Sequence, residues 1–264
     1  MTVTVAEALG TYLDTVDSCA PGLVEGLYVV GSFALDDWHP ERSDIDVVAV
    51  TADPATDEDA GALRTAHALL AEAQPRPAID GPYVAWGDLT IAPASLHRPW
   101  TLDGELHHDS ECFELNPVTW YVLATYGVTV RGPSVGDLVV DTDVEQRIRF
   151  VVDNLVDYWR PLASVIRGAV AEEGRGDVGA DFLEWCALGP LRLHYTAFTG
   201  DVTSKTGAGA HGLGVAPQRF HPVLSEALAA RAGTRPDGPV SRATMSSVAD
   251  LIDWCVAEVQ SASR

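Results

Sequence analysis

The sequence predicts an α/β N-terminal half, a small mixed sheet with helices, followed by an all-α helical bundle. Three observations carry this reading. Short runs of Val, Ile, Leu and Tyr, bounded by Gly, Pro and Asp, recur as strand signals up to residue 131. Segments with apolar residues at helical spacing alternate with them. Beyond residue 142 the strand signals vanish and helical spacing alone remains.

Thr4 and Glu7 have capping-box spacing, so a helix is expected from there to Ser18. Residues 26–30 (GLYVV) read as a buried strand, followed by a Gly31-Ser32 turn and a short helical or loop segment through Trp38. Residues 45–51 are the second strand, and 57–73 a helix behind a Thr56 cap. Pro75 and Pro77 break that helix, and 83–86 is expected as a third strand. A helix over 116–125, opened by Pro117, precedes one more strand at 127–131. The Gly-, Pro- and Ser-containing stretch 132–142 is expected to divide a first domain, residues 1–135, from a second, residues 143–264. In the second, 144–170, 181–198, 218–231 and 241–261 all carry helical spacing.

With 47% hydrophobic and 21% charged residues the chain can bury a proper core. No apolar run approaches the ~18 residues of a membrane span, and the first residues lack the basic flank of a signal peptide. Cys19, Cys112, Cys186 and Cys255 show no metal or disulfide spacing, so they read as thiols of a cytoplasmic protein. The net charge of −21 argues against nucleic acid as a partner and favours a cationic one, unless it serves solubility alone. His107-His108 reads as a solvated loop, since no further histidine follows at ligand spacing.

The chemistry gathers in GSFALDDWHPERSDIDVVAV, residues 31–50. Strand residues two apart share a face, so Asp44 and Asp46 aim two carboxylates at one place while Ile45 enters the core. Buried charges need a partner. Two hard oxygen donors suit Mg²⁺, which shares its sphere with substrate phosphates. Glycine at 31 permits close backbone approach, and turn N–H groups with Ser32 can hold anionic oxygens. The combination implies a nucleoside triphosphate.

Gly-Ser followed by SDIDVVAV resembles the signature of the polymerase-β-like nucleotidyltransferases. Two further stretches, FELNPVTWYVLATYGVTVRGP (113–133) and LRLHYTAFTGDVTSKTGAGAH (191–211), resemble aminoglycoside adenylyltransferases of the streptomycin/spectinomycin type, which carry a helical C-terminal domain. The resemblance implies ATP as co-substrate, Mg²⁺ as cofactor, and transfer of AMP to a hydroxyl of an aminoglycoside or aminocyclitol. It places Gly31, Ser32 and Ser43 at the nucleotide, and Arg192 and a loop lysine, Lys205, at its phosphates. Asp80 falls where the family has a glutamate, as third metal carboxylate or general base. A turn residue ahead of Gly81-Pro82 is the alternative. Trp100 is the nearest candidate for a drug-stacking tryptophan, and Asp181 and Glu184 for acids that hold the drug's cationic groups. A monomer is expected. Transfer to a protein or metabolite hydroxyl, and a regulatory nucleotide-binding role without transfer, remain open.

Overall fold

The computed structural model describes residues 3–74, 76–172 and 178–262. The chain divides into two compact units, Met1–Asp143 and Val144–Arg264.

The first unit is a mixed α/β layer structure. Helix α1 (Val5–Cys19) starts at the Thr4 capping box, and α3 (Asp57–Ala73) at an equivalent box of Thr56 and Asp59. Between them lie β1 (Gly26–Val29), the four-residue helix α2 (Gly31–Ala34) and β2 (Ile45–Thr51). Strand β3 (Ile79–Ala85), the hairpin β4 (Trp100–Leu102) and β5 (Glu105–His107), helix α4 (Pro117–Tyr126) and β6 (Val128–Arg131) complete it. The strands form one sheet in the order β5-β4-β3-β2-β1-β6, parallel at β2–β3 and antiparallel at the other junctions.

Period-two alternation decides what each face carries. Leu27, Val29, Ile45, Val47 and Ala49 join Ala8, Leu9, Tyr12 and Val16 of α1 and Leu63, Ala66 and Leu70 of α3 in one apolar core. The alternate residues, Tyr28, Asp46 and Val48, take the opposite face.

Two sheet features depart from the sequence reading. Strand β3 begins at Ile79 and not at Tyr83, running through Gly81-Pro82. Gly81 has φ 141°, and a Cβ there would overlap the Val47 carbonyl of β2, so glycine lets the two backbones approach where other residues would turn away. The β4–β5 hairpin was not anticipated. Its Asp103-Gly104 turn has positive φ at both residues (51° and 76°), the geometry for which Asp-Gly is the strongest short-range signal. His107 therefore lies in a strand, stacked on Trp100 with ring centroids 4.7 Å apart, and not in a loop.

A polar chain crosses the core under the sheet. Tyr12 and Tyr83 hydroxyls are 2.7 Å apart, and Tyr83 Oη lies 2.6 Å from His67 Nε2. Burial pushes His67 down to about 4, opposed by a hydrogen bond that its ring N–H donates to the Gly104 backbone.

Among its described residues the second unit contains helices and no strand. Helices α5 (Val144–Asn154) and α6 (Arg160–Ala171) flank a π-helical turn, Leu155–Trp159; α7 (Ala180–Thr199), α8 (Lys205–Val215), α9 (His221–Arg231) and α10 (Arg242–Ala262) follow. Leu155, Trp159, Leu183, Leu188, Leu191, Leu224, Leu251 and Ile252 are among its core residues. Helix α8 escaped the sequence reading because Gly207, Gly209, Gly212 and Gly214 lower its intrinsic propensity. Tertiary packing overrides it: Gly209 lies against Leu228, and Gly212 against Leu191 and Leu224. Among the described residues no helix is long and apolar enough to cross a membrane.

His194 of α7 is likewise held near 4, by burial and by His211, whose ring nitrogen is 3.0 Å away. A histidine with a depressed folded pKa binds its proton more readily when unfolded. Its contribution is therefore full above 6.5 and is lost as pH falls from 6.5 towards 4. Each site should cost up to about 3 kcal/mol over that window. Denaturant titrations between pH 7 and 4 should show this loss, and His67→Gln should be less stable at pH 7 but flatter towards acid. An equal acid slope in the variant would remove His67 as a cause.

Candidate active site

The site is built where β1, β2 and β3 end on the face turned away from α1 and α3. Val30 N–H donates to the Asp46 carbonyl at 2.9 Å, closing β1 onto β2 immediately before the Gly31 turn. Gly31 has φ 58°, and a Cβ at that position would overlap the Asp46 carboxylate. The turn thus lies directly on the acid, which only glycine allows. Ser32 Oγ is buried and has no hydrogen-bond partner among the described residues. An orphaned buried hydroxyl is costly, and its position fits an oxygen-rich ligand seated on this turn.

Asp44 is exposed and stands one residue before β2; its carbonyl accepts Trp38 Nε1–H at 3.0 Å. Ile45 N–H bonds the Ala78 carbonyl at 2.9 Å, which draws β3 alongside. In that parallel register Asp46 pairs with Asp80. Asp80 therefore stands inside β3 and not in a turn ahead of it. It is 2% exposed, and its two carboxylate oxygens accept the N–H groups of Asp103 (3.0 Å) and Gly104 (2.9 Å). Burial raises its pKa; the two N–H groups oppose this, while Asp44 and Asp103 reinforce it. The unanticipated hairpin is thus what holds Asp80.

A fourth acid completes the cluster, and sequence reasoning missed it. Glu114 precedes α4, and its carboxyl is pushed up to about 9, by burial first and then by Asp46, Asp80 and Asp44. Its only sequence cue was an acid just before Pro117, ordinary at a helix start. Nothing in spacing relates residue 114 to residue 46.

Among the described residues no group of three or more His, Cys, Asp or Glu side chains is arranged to hold a metal ion unaided. Mg²⁺ is usually held by one or two carboxylates together with substrate phosphates. Asp44 and Asp46 beside the Gly31-Ser32 turn fit that donor set, and a divalent cation would convert the repulsion felt by Glu114 into attraction.

Ser43 is buried, and its Oγ accepts His39 N–H at 3.1 Å, closing the loop before β2. Trp100 is buried in β4, between His107 and the edge of Phe113, with its Nε1 3.3 Å from Ser110 Oγ. In the second unit Arg192 Nε donates to the Thr203 carbonyl at 3.2 Å. Lys205 opens α8 and is not in a loop; its Nζ lies 3.1 Å from Glu184 Oε1, which also takes Arg231 Nη1 at 3.2 Å. Glu184, 4% exposed, is thus bound between two cations. Asp181 is exposed in the first turn of α7.

Known proteins share the fold of this chain. The nucleotidyltransferase domain family model matches residues 12–77, from α1 through the Gly31-Ser32 turn, Asp44 and Asp46 to the end of the α3 segment, stopping short of Asp80. Fold and match together link the chain to the polymerase-β-like nucleotidyltransferases and support nucleotidyl transfer in general terms. Among solved structures the chain is similar to a spectinomycin adenyltransferase from Enterococcus faecialis, crystallised with ATP and spectinomycin. The TM-score is 0.67 with 14% identity over 97% of this chain and 100% of that one, a likeness of fold. No curated protein matches the chain in sequence.

Proposed function

We propose that the protein is a Mg²⁺-dependent adenylyltransferase that moves AMP from ATP to a hydroxyl of an aminoglycoside or aminocyclitol, releasing pyrophosphate. The observation that carries the reading is the contact of the Gly31 turn with Asp46, beside the unpartnered Ser32 Oγ and opposite Asp80. Asp44 and Asp46 would hold the metal, with Asp80 behind them. Bound there, the ion would neutralise phosphate charge in the transition state. Gly31 and Ser32 seat the phosphate oxygens. Ser43 shapes the loop that delivers Asp44. The similar protein was solved with ATP and spectinomycin, and a chain of net charge −21 attracts a cationic acceptor. For that acceptor Asp181 is an exposed acid, and Glu184 is buried between Lys205 and Arg231. Trp100 would act from within the hairpin and not as an exposed stacking surface.

Arg192 and Lys205 are assigned to the nucleotide phosphates. Lys205→Ala and Arg192→Ala should each raise the ATP KM or lower kcat, with non-additive effects if both groups meet the same phosphates. Steady-state pyrophosphate release checks this, and wild-type constants in both variants would withdraw the assignment. The function itself is tested by incubating the protein with ATP, Mg²⁺ and a panel of aminoglycosides. One product should gain the mass of AMP. Transfer only to a protein or metabolite hydroxyl would keep the chemistry and replace the substrate.

A further inference from the structure

Of the two acids assigned to the metal, Asp46 lies within β2, whereas Asp44 is exposed and stands just outside it. Accepting the metal-dependent transfer reading above, Asp44 needs a support that the sheet alone does not give. A misplacement of about 1 Å can cost a hundredfold in rate.

The backbone around Asp44 supplies that support. Strand residues two apart turn their carbonyls to the same edge. On this edge the Asp46 carbonyl accepts Val30 N–H at 2.9 Å, the last contact of the β1 segment. Two residues earlier β1 has ended, because the chain turns into α2 at Gly31. The Trp38 indole takes the place of the missing strand, and its Nε1–H donates to the Asp44 carbonyl at 3.0 Å. The other end of the same peptide, Ile45 N–H, is held by the Ala78 carbonyl at 2.9 Å. The peptide that follows the Asp44 Cα is therefore pinned at both ends. On the other side Ser43 N–H donates to the His39 carbonyl at 2.8 Å, and Ser43 Oγ accepts His39 N–H at 3.1 Å.

Trp38 is itself held. It is half-buried and packs against the apolar core of the first unit. Its ring meets Phe33 edge-on, with centroids 6.3 Å apart. Phe33 follows Ser32 on α2, so one indole ties the turn that seats the phosphates to the acid that holds the metal.

We propose that Trp38 is a positioning residue that sets Asp44 for the divalent cation by completing the hydrogen-bond ladder that β1 leaves unfinished. It acts through the Asp44 backbone and not by contact with the nucleotide. Partners that orient a metal ligand are commonly worth roughly 10–100-fold in metal affinity or activity.

Two variants separate donor from packing. Trp38→Phe keeps an aromatic ring and loses the donor. Trp38→Gln gives up the ring and keeps an N–H the same number of bonds from Cβ. Mn²⁺ affinity in the presence of ATP, the Mg²⁺ dependence of pyrophosphate release and the melting temperature are measured for both. Trp38→Phe should weaken Mn²⁺ binding, and raise the Mg²⁺ concentration for half-maximal rate, by roughly tenfold. Its affinity for metal-free ATP should be unchanged. Trp38→Gln should recover part of both losses although it melts lower. A purely structural tryptophan would rank the variants alike in metal affinity and in melting temperature, and that result overturns the proposal. Weaker binding of metal-free ATP by Trp38→Phe overturns it too, since the indole would then be a surface for the nucleotide base. Should neither variant fold, the wild type still decides: the Trp38 indole proton must exchange slowly with solvent in NMR spectra, and rapid exchange removes the bond. Wild-type protein that binds no Mn²⁺ with ATP overturns the metal assignment and this role with it. Mn²⁺ binding that responds as expected, with no pyrophosphate released to any acceptor, retires the transfer reading and keeps the role of Trp38.

Discussion

Asp46→Asn should abolish nucleotidyl transfer and leave the fold intact. The side chain stands on β2 opposite Asp80, under the Gly31 turn, so its loss removes the donor common to every part of the site. A bound divalent ion contributes several kcal/mol to the transition state, and losing it is about a thousandfold or more in rate. Asn is nearly isosteric, so packing is preserved. Without metal the substitution removes one of the charges that raise Glu114, and thermal stability should stay equal or rise. Pyrophosphate release, MgATP titration and a melting curve in chelator check the three parts. Full turnover in the variant would remove Asp46 from the metal site.

Gly31→Ala should be nearly as damaging, although it deletes no chemical group. The residue has φ 58°, where any other L-residue is strained by roughly 1–2 kcal/mol. The added methyl would also overlap the Asp46 carboxylate. Overpacking of this kind costs roughly 1–3 kcal/mol unless the neighbour moves. Here the neighbour can move only by leaving its place over the site, and a displacement near 1 Å can cost about a hundredfold in rate. The expected result is a destabilisation of about 2–4 kcal/mol with a loss of kcat beyond a hundredfold. A stable variant with normal kcat would show that the turn does not set Asp46.

The amino-acid sequence by itself determined the local elements and one half of the site. Capping boxes at Thr4 and Thr56, period-two runs at β1 and β2, and the Gly31-Ser32, Asp44 and Asp46 pattern are all interactions between residues close along the chain. Short-range geometry therefore suffices to read them. The helical character of the second unit was legible for the same reason, except at α8, where four glycines hid a helix that close packing against Leu191, Leu224 and Leu228 makes possible. Only the tertiary structure decided the rest. Strand β3 runs through Gly81-Pro82 because glycine at 81 admits the Val47 carbonyl of the neighbouring β2. Asp80 is held by a hairpin 23 residues further on. Glu184 binds Lys205 and Arg231 across 21 and 47 residues. Glu114 is subject to the charge of the aspartates in a fold where α4 packs on α2 and Phe113 on Trp100. Each of these depends on contacts between distant segments, whose positions follow from the buried face of the whole sheet and from no local pattern.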